Sequence, residues 1–135
     1  MLWLTAAGAL GEAAAELGDA AGSAALYTAL EPYADRLIQW SFTGSAGSVH
    51  RVLGRTAAAA GRHDRARTHF EAALERHAAL GAEALLTRTR CDYGELLLEG
   101  LGRDRRRARA LLREAEATAG RLGMRGIAAR AGRHG

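Results

Sequence analysis

Along this chain one pattern recurs at a nearly constant interval, and it limits the folds open to the sequence. Each copy begins with a glycine, has a small residue five or six positions later, and has a larger side chain four positions beyond. The three sets are Gly18, Ser23 and Tyr27; Gly61, Ala66 and Phe70; and Gly102, Ala108 and Leu112. Their glycines are 43 and 41 residues apart, which is long enough for two helices per unit. The pattern predicts an array of helical hairpins.

Composition indicates that the units are helical. The 135 residues include 32 alanines, 19 leucines and a single proline. Alanine and leucine lose little side-chain entropy in a helix, and proline, which interrupts helices, is rare here. We therefore expect an all-α fold without a sheet, formed as a single domain over residues 1–135, whose length suits one domain.

Local signals divide the chain into three antiparallel hairpins, at about residues 1–35, 47–81 and 83–123, which gives six helices. A long loop is expected at about 35–47 and a short tail at about 124–131. Three aspartates follow the glycines and are expected to cap the next helix: Asp19, Asp64 and Asp104. Three further glycines fall inside helices, where glycine is unfavourable unless neighbouring helices cross closely. These are Gly11, Gly54 and Gly94.

The long loop carries four apolar residues among glycines and serines: Leu37, Ile38, Trp40 and Phe42. Loops of this length are often functional. The alternative is that these side chains fold back over the first hairpin, and we favour that interpretation.

The residues around the interior glycines point to a known class of repeat. Leu53-Gly54 and Tyr93-Gly94, together with the series Gly61, Ala66, Phe70 and Ala73, resemble tetratricopeptide repeats. Segments 17–34, 61–82 and 88–93 are similar to the helical-repeat tails of actinobacterial ATPase regulators that carry a LuxR-type DNA-binding domain or a cyclase module. The resemblance extends to about Met124.

That resemblance implies a non-catalytic interaction or regulatory module that senses a partner or inducer and restrains an ATPase, thereby controlling transcription. The sequence departs from the complete family pattern, because it contains no lysine and therefore no G-x-x-x-x-G-K-[ST] phosphate loop. It also contains no DNA-reading domain and no cyclase domain. We expect a detached C-terminal piece of such a regulator.

The candidate partner-binding residues lie on two equivalent helices. Arg51 and Arg55 are four positions apart, so they share one helix face, and two guanidinium groups so placed suit a carboxylate or an acidic peptide. The next equivalent helix carries Arg88, Asp92 and Glu95. By resemblance, these helices line the concave side of the array, and we predict a groove for a protein or peptide partner.

The alternative function is nucleic-acid binding. The segment Arg103–Arg109 contains five arginines, which could neutralise phosphates. However, arginines at the start of a helix oppose its dipole, point in several directions and here lack stacking aromatic neighbours. We therefore expect this cluster to be a solvated turn.

Catalytic and metal-binding patterns are not found in the sequence. His69 and His77 are eight residues apart, about 12 Å along a helix, which is too far for one metal ion. Cys91 has no histidine nearby in sequence and is expected to be a small buried residue rather than a nucleophile. We predict no enzyme activity, no cofactor and no metal site.

The single cysteine argues against a disulfide-stabilised secreted protein, and no apolar run is long enough to span a membrane. The apolar opening segment lacks the basic flank of a signal peptide, and Glu12 and Glu16 follow early. We expect a cytoplasmic protein. Because helical arrays need polar ends, its apolar end helices are also expected to promote self-association.

Overall fold

The structure, a computed structural model, describes residues 2–41, 44–100 and 104–134. Seven α-helices run through these residues: α1 (Leu2–Glu16), α2 (Ala20–Leu30), α3 (Val49–Ala59), α4 (His63–Ala79), α5 (Glu83–Glu99), α6 (Arg105–Leu122) and α7 (Arg125–Gly132). A short 3-10 helix, Glu31–Tyr33, follows α2. The predicted all-α class is confirmed, because helix dominates the part of the chain that is described.

The expectation that the fold contains no sheet was wrong. Two short antiparallel strands, β1 (Leu37–Ser41) and β2 (Gly44–Ser48), lie in the segment predicted as a long loop, with Leu37 opposite Ser48. Gly47 has a φ of 95°, a left-handed conformation that glycine adopts without a steric penalty. Register shifts interrupt the pairing, as at a β-bulge. Local irregularity of this kind hides the alternation by which a strand is recognised in a sequence.

The strands fold back over the first hairpin, as expected for this segment. Ile38 is 2% exposed, and its Cδ1 lies 2.6 Å from the position that a Cβ on Gly8 of α1 would occupy. Leu37 is half-buried. The side chains of Trp40 and Phe42 lie outside the described residues. Ile38 therefore anchors this connection to α1.

Glycines end the helices where the sequence predicts an end. Gly18 follows α1 and Gly61 follows α3, with φ values of 68° and 77°. A side chain at these positions would be strained by the left-handed backbone, whereas glycine is not. The third predicted turn glycine, Gly102, lies outside the described residues.

The capping prediction is confirmed for one aspartate and was wrong for two. Asp19 precedes α2 with an extended backbone, and its carboxylate accepts a 2.9 Å hydrogen bond from the Gly22 N–H. Asp64 lies inside the first turn of α4. Asp104 is at the N-cap position of α6, but its φ of −118° and ψ of 25° lie outside the extended region typical of a cap, and its side chain makes no capping hydrogen bond.

The chain forms two compact units, Met1–Arg76 and His77–Gly135. In the first unit, α3 packs against both α1 and α2. A Cβ on Gly11 would lie 2.8 Å from Cγ1 of Val52, and a Cβ on Gly54 would lie 3.0 Å from the Phe70 ring. The expectation of close helix approach at these interior glycines is confirmed.

In the second unit, α6 packs against α5 and α7 contacts both of them. Its core contains Cys91, Leu112, Ala115 and Ala131. Gly94 of α5 faces Leu112 of α6, because a Cβ there would lie 2.6 Å from Leu112 Cγ. The third interior glycine therefore also marks a close helix contact.

Two glycine-to-alanine substitutions in this unit are expected to have opposite effects. Gly94→Ala would force a methyl group into buried Leu112, so we expect the free energy of unfolding to fall by about 1–3 kcal/mol. Gly120→Ala, in α6, adds a methyl group with no neighbouring atom within 4 Å. It should raise the free energy of unfolding by about 0.5–1 kcal/mol, because alanine has a higher helix propensity than glycine. Urea denaturation followed by circular dichroism measures both. A stabilising Gly94→Ala would contradict the close packing.

Candidate functional site

The two arginines predicted to hold an acidic partner bind carboxylates of α1. Arg51 is 6% exposed, and its Nη1 donates a 2.5 Å hydrogen bond to Oε1 of Glu12. Arg55 donates to the other oxygen of Glu12 and, over 2.7 Å, to Oε2 of Glu16. The packing of α3 beside α1 brings these groups together. The carboxylate clasp expected from the Arg51 and Arg55 spacing is therefore formed within the chain.

The other three predicted residues lie in the second unit, on α5. Asp92, which is buried, accepts a 2.8 Å hydrogen bond from Arg130 of α7, and Glu95 accepts one of 2.5 Å from the same guanidinium. Burial lowers the pKa of Arg130, but the hydrogen bonds to Glu95 and Asp92 outweigh it and raise the pKa above its usual range. His134 Nε2 lies 3.4 Å from Glu95 Oε1. Arg88 is exposed.

Four of the five predicted residues thus form ion pairs inside their own unit. The partner-binding groove stays a prediction, and its residues have a structural role as well. The carboxylates and the guanidinium that pair with them were not predicted from the sequence. A signal for the first unit was present, since Glu12 and Glu16 stand 39 residues before Arg51 and Arg55 and repeat their four-residue spacing.

One helix face in the first unit is apolar and uncovered; it belongs to one of the end helices that were expected to be apolar, although its residues were not predicted individually. Its residues are exposed, and the intervals between them along α1 and just beyond its end are three, four, three and four positions. We call this set the α1 stripe: Trp3, Ala6, Leu10, Ala13 and Leu17. Three-and-four spacing places them on one side of a helix. Neighbouring Leu2 is also exposed, and the Trp3 ring lies 5.1 Å from that of Tyr33. A connected apolar surface of this kind suits contact with another helix.

A chain of polar side chains crosses the first unit. Tyr27 Oη lies 2.8 Å from His69 Nε2, and His69 Nδ1 lies 3.0 Å from His50 Nδ1. His50 Nε2 in turn lies 3.5 Å from Asp35 Oδ1. A hydrogen bond between two imidazole nitrogens needs a proton on one and a lone pair on the other, so both rings cannot carry a proton at Nδ1 in this arrangement.

The surroundings of His69 disfavour its protonated form. Its pKa is lowered, first by burial and then by the neighbouring His50 and by Arg65, although Glu31 acts in the opposite direction. An unfolded chain would therefore bind this proton at a higher pH than the folded chain. Between the ordinary histidine value, about 6.5, and the lower folded value, stability is lost as the pH falls.

We expect His69→Gln to flatten the pH dependence of stability. Between about pH 7.5 and about pH 5.5, the free energy of unfolding of this variant should fall less than that of the wild-type chain, because the variant lacks the histidine whose pKa folding lowers. Urea denaturation at a series of pH values measures the slope. The matched control is His63→Gln, at an exposed position in the same helix, which should keep the wild-type slope. Equal slopes in all three proteins would show that His69 does not contribute.

The environment of Cys91 explains why a thiolate is disfavoured. The side chain is fully buried, and burial raises its pKa to about 11. A nucleophilic cysteine requires the thiolate at neutral pH. Within residues 2–41, 44–100 and 104–134, no group of three or more histidine, cysteine, aspartate or glutamate side chains is arranged to hold a metal ion.

The arginine cluster lies at the beginning of α6, although Arg103 falls outside the described residues. Arg105, Arg106, Arg107 and Arg109 are all exposed. Successive helical residues are rotated by about 100°, so these side chains leave the helix in different directions. Nucleic-acid binding by this cluster stays a prediction.

Among the described residues, no helix is both long enough and apolar enough to cross a membrane. Comparison with protein-family models, curated proteins and solved structures found no match to this chain.

Proposed function

We propose that this chain is a non-catalytic protein-interaction and regulatory module, built as a tetratricopeptide-like array of helical hairpins. The packing supports this proposal. In each unit, a helix that follows a hairpin contacts both of its helices, α3 on α1 and α2, and α7 on α5 and α6. Interior glycines contact a large side chain of the following helix, as in Gly54 with Phe70 and Gly94 with Leu112.

The observation that carries the proposal is the uncovered α1 stripe. The charged side chains of α1, Glu12 and Glu16, are engaged by arginines of α3, whereas the apolar face remains exposed. Exposed apolar patches of connected side chains are typical of protein-interaction sites. A helix presented by a partner matches this surface in shape and polarity.

We further propose that the module serves as the repeat tail of an ATPase-type transcriptional regulator, in which it senses a partner or inducer and restrains the ATPase. This step rests on the resemblance of segments 17–34 and 61–82 to such tails. The buried thiol of Cys91, with its raised pKa, is unsuited to nucleophilic catalysis.

Photocrosslinking tests the proposal. The full chain with benzoylphenylalanine in place of Leu10 is produced in its host and irradiated, and adducts are separated on a denaturing gel. We expect an adduct heavier than the 14.3 kDa chain, identified by mass spectrometry as a complex with another polypeptide or a second copy. The matched control places the probe at Arg113, an exposed position on α6. No adduct at position 10, or equal adducts at both positions, would overturn the proposal.

The second candidate is nucleic-acid binding, favoured by the exposure of all four described arginines at the beginning of α6. Fluorescence anisotropy with a labelled duplex oligonucleotide tests it. If Arg106 and Arg109 contact phosphates, replacing both with glutamine should weaken binding and reduce the salt dependence by about two counterions. Binding that is unaffected by this double substitution would exclude the cluster.

A further inference from the structure

Three helices carry a large side chain directly before an interior glycine, and in one of these helices that side chain is exposed to solvent. Aligned on their interior glycines, Leu10 of α1 corresponds to Leu53 of α3 and Tyr93 of α5, each directly before the glycine. Leu10 is 59% exposed, whereas Leu53 is 0% and Tyr93 is 1% exposed. The residue directly before the interior glycine is therefore buried in α3 and α5 but exposed to solvent in α1.

The neighbouring positions repeat this contrast. Ala6 and Ala13 are exposed, whereas the residues at the corresponding places in α3, Val49 and Thr56, are fully buried. In the first unit, α3 is covered because it packs against both α1 and α2. The α1 stripe is thus a helix-packing surface that lacks a helix among the described residues.

We propose that the α1 stripe binds the α1 stripe of a second copy of this chain, with the two helices antiparallel. This inference rests on the proposed interaction function and names its partner. The stripe alternates large and small side chains. When Leu10 lies opposite Ala13 of the second copy, Leu17 lies opposite Ala6, so each layer pairs a bulky residue with an alanine. Interfaces pack well when large and small residues alternate across them. A parallel pair would instead oppose leucine to leucine and alanine to alanine.

The charges beside the stripe favour this pairing. Glu12 and Glu16 are the charged residues of α1, and Arg51 and Arg55 already neutralise them. Two copies of α1 can therefore approach without repulsion between unpaired carboxylates. A strongly basic partner helix would gain little from carboxylates that are already bound.

The area of the stripe predicts a weak, concentration-dependent dimer. The two exposed leucines and the half-exposed tryptophan of the stripe offer about 350 Å² of apolar surface per copy, or about 700 Å² for the pair. Stable interfaces bury about 1,200–2,000 Å². We therefore expect dissociation at low micromolar concentration and association at several hundred micromolar.

Sedimentation velocity of the purified full chain, from about 5 µM to about 500 µM, tests the inference. The wild-type chain should shift from monomer to dimer, and Leu10→Glu should weaken dimerisation by about 100-fold, because it places a charge in the interface. Leu80→Glu is the matched control, since Leu80 is exposed outside the stripe and should leave the dimer unchanged. Circular dichroism confirms that the variants are folded.

Disulfide crosslinking tests the orientation. Copies carrying Ala6→Cys are mixed with copies carrying Leu17→Cys, and an antiparallel pair should give the mixed disulfide in preference to either homodimer. Buried Cys91, with its pKa of about 11, should not compete. A monomer at every concentration, a dimer unaffected by Leu10→Glu, or preferred homodimeric disulfides would overturn the inference. A position-10 photoadduct to a different polypeptide would also overturn it while leaving the proposed function standing.

Discussion

Phe70→Ala is expected to lower the free energy of unfolding by about 3–5 kcal/mol. Phe70 is fully buried, and its ring lies against Gly54, where the absent side chain leaves room for it. Truncation to alanine removes buried apolar surface and leaves a cavity. Gly54 of α3 has no side chain that could move into this cavity. Because whole domains are stable by only about 5–15 kcal/mol, this loss is a large fraction of the total.

Chemical denaturation in urea measures the effect. Leu80→Ala is the control, because it removes an apolar side chain that is already exposed, and it should change stability by less than about 0.5 kcal/mol. Phe70→Leu keeps most of the volume and should lie between the two. A loss below about 1 kcal/mol for Phe70→Ala would mean that the contact with Gly54 contributes little.

Glu12→Ala is expected to lower the free energy of unfolding by about 2–3 kcal/mol. Glu12 accepts hydrogen bonds from both Arg51 and Arg55, and Arg51 is buried. Removing the carboxylate takes an anionic partner from a guanidinium that is shielded from water. The expected loss is therefore larger than for an ion pair at the surface.

Glu16→Ala is the comparison that shows how much the burial of the ion pair contributes to its strength. Glu16 pairs with Arg55, but its side chain is mostly exposed, so we expect a change of about 0–1 kcal/mol. Thermal or urea unfolding of the two variants in parallel gives the difference. Equal losses would show that the burial of Arg51 does not set the strength of these pairs.

The helices could be predicted from the sequence because their signals are local. Gly18 and Gly61 end helices through a backbone conformation available to glycine, and buried Ala66 and Phe70 lie on one helical face. The β-hairpin could not be predicted in the same way. Its pairing is irregular, and Ile38 belongs there because it meets Gly8, a residue distant in sequence.

The candidate site was predicted only in part, for the same reason. The spacing of Arg51 and Arg55 indicates a carboxylate-binding pair, but their partner Glu12 is 39 residues from Arg51 and reaches it only when α1 and α3 pack together. The exposure of Leu10 was also hidden, because Leu10 directly precedes an interior glycine just as buried Leu53 does in α3. Composition cannot reveal which of two similar helix faces is covered.

The ion pairs between helices also limit how the chain can be extended by tandem duplication. In each unit an acidic helix packs against a basic one: α1 with Glu12 meets α3 with Arg51, and α5 with Asp92 meets α7 with Arg130. Copying the α1–α2 hairpin alone would place a second Glu12 where Arg51 now lies. Acidic side chains would then face acidic ones, at an electrostatic cost. Copying two hairpins together would preserve the alternation. A longer version of this chain should therefore gain hairpins in pairs.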